Sequence, residues 1–397
     1  MGYVFDTATS ILISLSLMLI AGFLVTRLTK RLGLPNVTGY IIAGILMGPY
    51  VLDIIPGYIA QNMSFVGDIA LAFIAFDVGK FLEREVLAQT GKQVILITLF
   101  ESLITGIVVT LTMHYLLAVS WRMALLLGAI ATATAPASTM MTINQYQATG
   151  DFVNILLQVV ALDDVVCLIA FSLVIAFVDA AETGIITYST AVLPVVYNIL
   201  ALALGFLSGV LLSRILTPDR SDDNRLILTI ALLLGLSGLC SIFDISPLMA
   251  CMVLGATYIN IAHDRKLYRQ INNFTPPILS LFFILSGIKL NIASLSTLGL
   301  LGVAYFLTRI IGKYLGAYLG CYFMDTQAVI RNYLGLALVP QAGVAIGLAF
   351  LGERLLPVSL GNRLLTIILA SSVLYELIGP ACAKLALVYS GTIEAGR

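Results

Sequence analysis

Residues 160–177 read VALDDVVCLIAFSLVIAF. Apart from Asp163, Asp164 and Ser172 the stretch is apolar, and no lysine, arginine or histidine lies within ten residues of the aspartates on either side. A run of this length and character is a helix that crosses a bilayer, since about 20 helical residues span the ~30 Å hydrocarbon core. A charged side chain at the centre of such a helix costs roughly 2.5–3.5 kcal/mol on insertion scales. Two adjacent carboxylates persist there only if paired, hydrated or protonated, which marks them as functional. Successive residues point about 100° apart around a helix, so the two acids face different neighbours and take different roles. Ala161 and Leu162 offer nothing polar, so the partners come from other helices.

The rest of the chain has the same character. Of 397 residues 60% are hydrophobic and 11% charged, less than half the charged fraction of about a quarter that a soluble domain carries. The fold class is an all-α polytopic membrane protein. Breaks at polar, Gly/Pro and charged clusters predict thirteen transmembrane helices, near 6–26, 36–51, 62–79, 93–118, 121–145, 152–178, 190–215, 225–243, 247–262, 272–290, 295–322, 329–352 and 362–390. The N-terminal MGYVFDTATS has no basic stretch before its first apolar run, so no cleaved signal peptide is expected. The five cysteines lack CxxC spacing and read as small buried hydrophobes. His114 and His263 fall near span ends, where a metal site is not expected. There is no Walker sequence and no GxGxxG, so neither an enzyme, an ATP-driven pump nor a bound cofactor is expected. A net charge of zero argues against a nucleic-acid partner.

The basic residues orient the spans. Those after odd-numbered helices, with Lys384 and Arg397 at the end, number fifteen; the opposite face has Arg122, Lys289, Arg354 and Arg363. This bias places the N-terminus outside and the C-terminus in the cytoplasm of a cell inner (plasma) membrane. An odd number of spans also permits a repeat. With helix seven (190–215) as a linker, helix k corresponds to helix k+7 in the opposite direction, the inverted-repeat plan of many secondary transporters. One pairing is visible: helix five contains ATATAPASTM (131–140) and helix twelve LVPQAGVAIG (338–347), each with a proline near mid-span. A proline removes a backbone donor and frees a carbonyl one turn earlier, and in lipid such groups survive only where protein or a polar cavity covers them. Two opposed breaks at one depth bring carbonyl ends and amide ends together, an arrangement able to hold a small cation. Around Pro136 and Pro340 the candidate supporting groups are Thr132, Thr134, Ser138, Thr139 and Gln341.

Two basic residues remain inside the membrane, Arg309 and Lys313, on one face of helix eleven. Lysine releases its proton far more readily than arginine when desolvated, so a Lys–Asp pair can exchange protons while an arginine stays a fixed charge. Arg309 is expected to be structural, or to pair with another acid such as Glu101. Asp77, Glu101 and Glu376, with Asp68 and Asp244 nearer span ends, line an access path or pair across helix contacts.

With these residues in place the chain resembles the bacterial sodium/proton antiporters of the monovalent cation:proton antiporter-2 family. ALDDVV is similar to the double-aspartate motif of its electrogenic members, ATATAPAST and VPQAGVAIGLA to its crossing helices, and RIIGKYLGAYLG puts Lys313 where the family lysine falls. The resemblance implies Na⁺ (or Li⁺) held at Asp164, Asp163 paired with Lys313, and a homodimer. It further implies a dimerisation panel over approximately 1–90 and 220–292, and a mobile ion-carrying core over approximately 93–178 and 295–390. The nucleotide-binding domain of the potassium-efflux branch is not expected in this chain. On this basis cytoplasmic Na⁺ leaves in exchange for two external H⁺, and one charge moves per cycle. That count is the same whether Lys313 or Asp163 carries the second proton. Rival readings are a K⁺/H⁺ antiporter, a sodium-coupled symporter of an organic anion on a similar crossed-helix plan, and a channel or sensor.

Overall fold

The computed structural model describes residues 7–31, 36–55, 57–63, 65–135, 139, 142–143, 146–182, 188–217, 220–242, 247–290 and 292–393, less some side chains within helices. These residues form α1 (Thr7–Arg31), α2 (Asn36–Met47), α3 (Gly57–Asn62), α4 (Phe65–Gly79), α5 (Arg84–Leu111), α6 (Trp121–Ala131), α7 (Asp151–Glu182) and α8 (Tyr188–Ile215). They continue with α9 (Asp222–Ile242), α10 (Pro247–Ala262), α11 (Arg265–Phe274), α12 (Pro276–Lys289), α13 (Ile292–Phe323), α14 (Ala328–Ala337), α15 (Gly343–Leu355) and α16 (Val358–Tyr389). Among the described residues every regular element is helical, and six helices are each long and apolar enough to cross a membrane unaided. Large apolar side chains such as Leu300, Leu307, Ile311 and Leu315 of α13 are exposed, as expected of a helix face that meets lipid rather than water.

Several boundaries differ from the sequence expectation. The fifth and twelfth spans are not continuous: α6 stops at Ala131, and the twelfth divides into α14 and α15 across residues 338–342. Each stop precedes a proline, which disfavours helical geometry in the residue before it. Residues Arg265, Lys266 and Arg269, read as a loop, instead belong to α11, bent 51° from α12 at Thr275. This helix buries Leu267, Tyr268 and Ile271 and turns its charges outward, so the charges masked an amphipathic surface helix.

The helix contacts recur between the two halves of the chain. Pairing each span with the one seven further on maps the packing of α2 on α12 onto that of α10 on α4, and both contacts are close. A Cβ at Gly44 would come 2.0 Å from the carbonyl oxygen of Ile284, and one at Gly255 2.3 Å from that of Phe76. The packing of α6 on α5 maps likewise onto that of α14 on α13, and α7 on α5 onto α16 on α13. The contact between α5 and α13 maps onto itself and runs along both helices. There Gly312, Gly316 and Gly320 lie against Thr105, Glu101 and Ile97, the small-residue approach that brings membrane helices together.

Candidate functional site

The two interrupted helices meet at their breaks. The N–H of Ala135 donates to the carbonyl of Pro340 at 2.9 Å, joining the first break to the second. Gln341 strengthens the crossing: its Nε2 donates to the Ile130 carbonyl at 2.8 Å, and its Oε1 accepts from the Tyr305 hydroxyl at 3.2 Å. Both ends of the amide are therefore engaged by protein, and its Nε2 ties the second break to the end of α6. Pro340 packs against Gly379.

The carbonyls freed at the first break are taken by the two cations of α13. Arg309 donates through Nε to the Ala131 carbonyl at 2.8 Å, through Nη1 to that of Val339 at 2.6 Å, and through Nη2 to that of Ala133. Its guanidinium lies 4.8 Å from the Tyr375 ring centroid. The expectation that Arg309 is structural agrees with this geometry; its suggested pairing with Glu101 does not, because the acceptors are main-chain oxygens from both breaks. The helix stops at Ala131 and Ala337 leave carbonyls without helical partners, and the arginine meets that need.

Lys313, one turn further along α13, engages acids. Its Nζ lies 2.9 Å from Asp163 Oδ2 and 2.5 Å from Glu101 Oε1, and donates to the Thr132 carbonyl at 2.6 Å. An ammonium has three donors, and all three are used. Asp163 accepts further from Ser102 Oγ at 2.8 Å and from Thr134 Oγ1 at 2.7 Å. Glu101, Asp163 and Lys313 are all 0% exposed. Asp164, its neighbour on α7, is also buried, and its Oδ1 has no hydrogen-bond partner among the described residues.

The structure thus brings together Asp163, Lys313 and Thr134, and leaves an oxygen of Asp164 open nearby. The Thr132 hydroxyl turns back onto its own helix, donating to the Ala129 carbonyl at 2.9 Å, while its carbonyl serves Lys313. Thr139 likewise donates to the Ala135 carbonyl. Pro136, Ser138 and Asp244, and the side chain of Glu376, lie outside the described residues. Asp77 pairs with Lys80 at 2.7 Å and Asp68 with Arg354, both away from the cluster. Among the described residues no three His, Cys, Asp or Glu side chains form a metal cluster; a monovalent cargo ion needs only one carboxylate with neutral oxygens. Sequence reasoning missed that Glu101 and Ser102 share this cluster. The signal was ES within the apolar LFESLITG, a charge in lipid with no local partner.

Broken helices that meet around buried acids and a buried lysine point to a polytopic membrane transporter. The chain belongs to the sodium/hydrogen exchanger, transmembrane, family, whose model matches residues 15–384. It is 25% identical over 378 residues to the probable Na⁺/H⁺ antiporter 3 of Methanocaldococcus jannaschii, covering 91% of this chain and 93% of that one. It is also 25% identical over 287 residues to the glutathione-regulated potassium-efflux system protein KefC of Klebsiella pneumoniae, covering 70% of this chain and 45% of that protein. The fold matches the solved structure of the sodium proton antiporter MjNhaP1 from Methanocaldococcus jannaschii at pH 8, with a TM-score of 0.78 and 21% identity over 97% of this chain and 100% of that one. The organic-anion symporter and channel readings fall with the family.

Proposed function

We propose that this chain exchanges cytoplasmic Na⁺ (or Li⁺) for external H⁺, two protons per cation, with Asp164 as the cation ligand and Asp163 as the acid coupled to Lys313. The observation that carries the reading is the unpartnered Oδ1 of Asp164 beside a cluster in which each other acid is engaged by donors. A buried carboxylate oxygen left without a partner costs at least about 1–3 kcal/mol, a cost removed by a bound proton or cation. Proton and cation then compete for the same atom, which is the minimum chemistry of exchange.

The wider arrangement supports alternating access. Under this reading, helices α1–α4 and α9–α12 form a dimerisation panel, α8 the linker, and α5–α7 with α13–α16 a mobile core. Ion pairs between the two sets, Asp68 with Arg354 and Lys289 with Glu353, lie at the end that the charge bias assigns to the outside. The pairs at the other end, Arg225 with Asp264, Arg265 with Glu83 and Lys266 with Asp222, join panel elements to one another. One charge moved per cycle couples transport to voltage at ~2.3 kcal/mol per 100 mV, so an inside-negative inner membrane drives sodium out. The likeness to KefC favours K⁺ as the second candidate cargo.

The test is reconstitution in proteoliposomes with an imposed Na⁺ or K⁺ gradient, internal pH followed, and potential clamped with potassium and valinomycin. Voltage-sensitive, cation-driven proton movement is expected, and Asp164→Asn abolishes it. Exchange that survives in Asp164→Asn would falsify the assigned role.

A further inference from the structure

Two arginines of the core end beside tyrosine rings, and only one of them is satisfied. Arg309 gives its donors to three carbonyls. Arg331, in the first turns of α14, gives its guanidinium donors to no acceptor among the described residues. Its Nε is buried without a hydrogen-bond partner. No ion pair engages it there either, and Asp325, the acid nearest in the chain, stands apart. The guanidinium instead lies 5.7 Å from the ring centroid of Tyr318 and 5.8 Å from that of Tyr322, both on α13. Rings within about 6 Å attract a cation. They hold the side chain in place but leave its N–H fork free for an anion.

Position along the membrane narrows what that anion is. The apolar span of α13 runs from Gly299 to Phe323, so Tyr322 stands in its last turn, at the edge of the hydrocarbon. The charge bias assigns that end to the cytoplasm. From Tyr322 back towards the middle of the span, Leu319, Leu315, Tyr314 and Ile311 are all exposed. Their spacing of three and four residues makes one continuous face. From Tyr322 to Ile311 the helix rises roughly 16 Å, about half of the ~30 Å hydrocarbon core and so the depth of one acyl chain. Inorganic phosphate would meet the fork but not the track. A zwitterionic headgroup brings an ammonium that the guanidinium repels. An anionic phospholipid meets both: its phosphodiester takes two parallel N–H bonds, and its chain covers the apolar face.

We propose that Arg331, seated against Tyr318 and Tyr322, holds the phosphate of an anionic phospholipid of the cytoplasmic leaflet, with an acyl chain laid along the exposed face of α13. The site stands on α13 and α14, the helices that carry Arg309, Lys313 and the second break. Under the antiport reading the lipid therefore travels with the moving part of the transporter.

The test uses the full chain, purified and stripped of lipid in a neutral detergent. Melting temperature and native mass spectra are recorded with phosphatidylglycerol, phosphatidylcholine or inorganic phosphate. Phosphatidylglycerol should raise the melt and remain attached, and the other two should do neither. Arg331→Gln should weaken phosphatidylglycerol binding about five-fold. Arg220→Gln removes a like charge from the same end, where Arg220 Nε donates to the Ile215 carbonyl, and should bind as the parent does. An equal loss in both variants reduces the effect to general surface charge and overturns the proposal. So does an equal response of the parent to phosphatidylcholine, or to inorganic phosphate alone. If Arg331→Gln does not fold, Tyr322→Leu decides: it keeps every charge and removes one ring, and unchanged phosphatidylglycerol binding there overturns the site. Binding is read without ion movement, so a chain that binds the lipid yet exchanges no sodium removes the antiport reading alone.

Discussion

Two cations sit one turn apart on α13 and lead different lives. Arg309 is surrounded by main-chain carbonyls from both helix breaks and by an aromatic ring; Lys313 meets one carbonyl and two carboxylates. The carbonyls carry no titratable proton, so the arginine acts as a fixed joint. The carboxylates do, so the lysine end of the same helix face can respond to proton and cation. Neighbouring positions with the same formal charge are divided into architecture and chemistry by what surrounds them.

Exchanging the two roles is the most direct way to break this comparison. Arg309→Ala strands three buried carbonyls and should cost about 3–5 kcal/mol, read as a large fall in melting temperature of the detergent-solubilised protein. Lys313→Gln should leave the melt much closer to the parent while removing transport or its voltage dependence. A Lys313→Gln protein with unchanged electrogenic exchange would move the coupling role to Arg309 or Asp163. Gln341→Leu removes two hydrogen bonds from the crossing and leaves the Ile130 carbonyl without its donor; a loss of about 1–3 kcal/mol is expected, with exchange reduced but its pH dependence kept. A shifted pH profile in that variant would place Gln341 in the chemistry after all. The smallest effect belongs to Arg354→Ala. Its pair with Asp68 is partly exposed, so stability should change by less than about 1 kcal/mol. Because the pair bridges the proposed panel and core, the visible change should be in turnover rate.

Much of this was legible in the residues. The double aspartate, the paired prolines and the two basic residues left over once the loops were counted were enough to single out Asp163, Asp164 and Lys313. The part that stayed hidden has a physical cause. The acceptors of Arg309 are main-chain oxygens, which carry no signature in the side-chain alphabet. The place of Glu101 depends on how closely α5 docks on α13, set by Gly316, 152 positions beyond Asp164 in the chain. Gln341 and Thr132 are polar groups beside a proline, and the sequence does not reveal the hydrogen bonds they make within the protein, from the Gln341 amide to Ile130 and Tyr305 and from the Thr132 hydroxyl to Ala129. In α11, charges at the surface concealed the spacing of Leu267, Tyr268, Ile271 and Phe274, which is that of a helix lying along an interface.

The glycine track on α13 has a mechanical meaning. A Cβ at Gly316 would stand 2.7 Å from the carbonyl oxygen of Glu101, so the backbones of α5 and α13 touch at the level where the lysine meets its acids. Two rods in contact at that point travel as one piece. Whatever motion turns the site from one side of the membrane to the other can carry the Lys313–Glu101 pair along, but it has no slack with which to pull the pair apart.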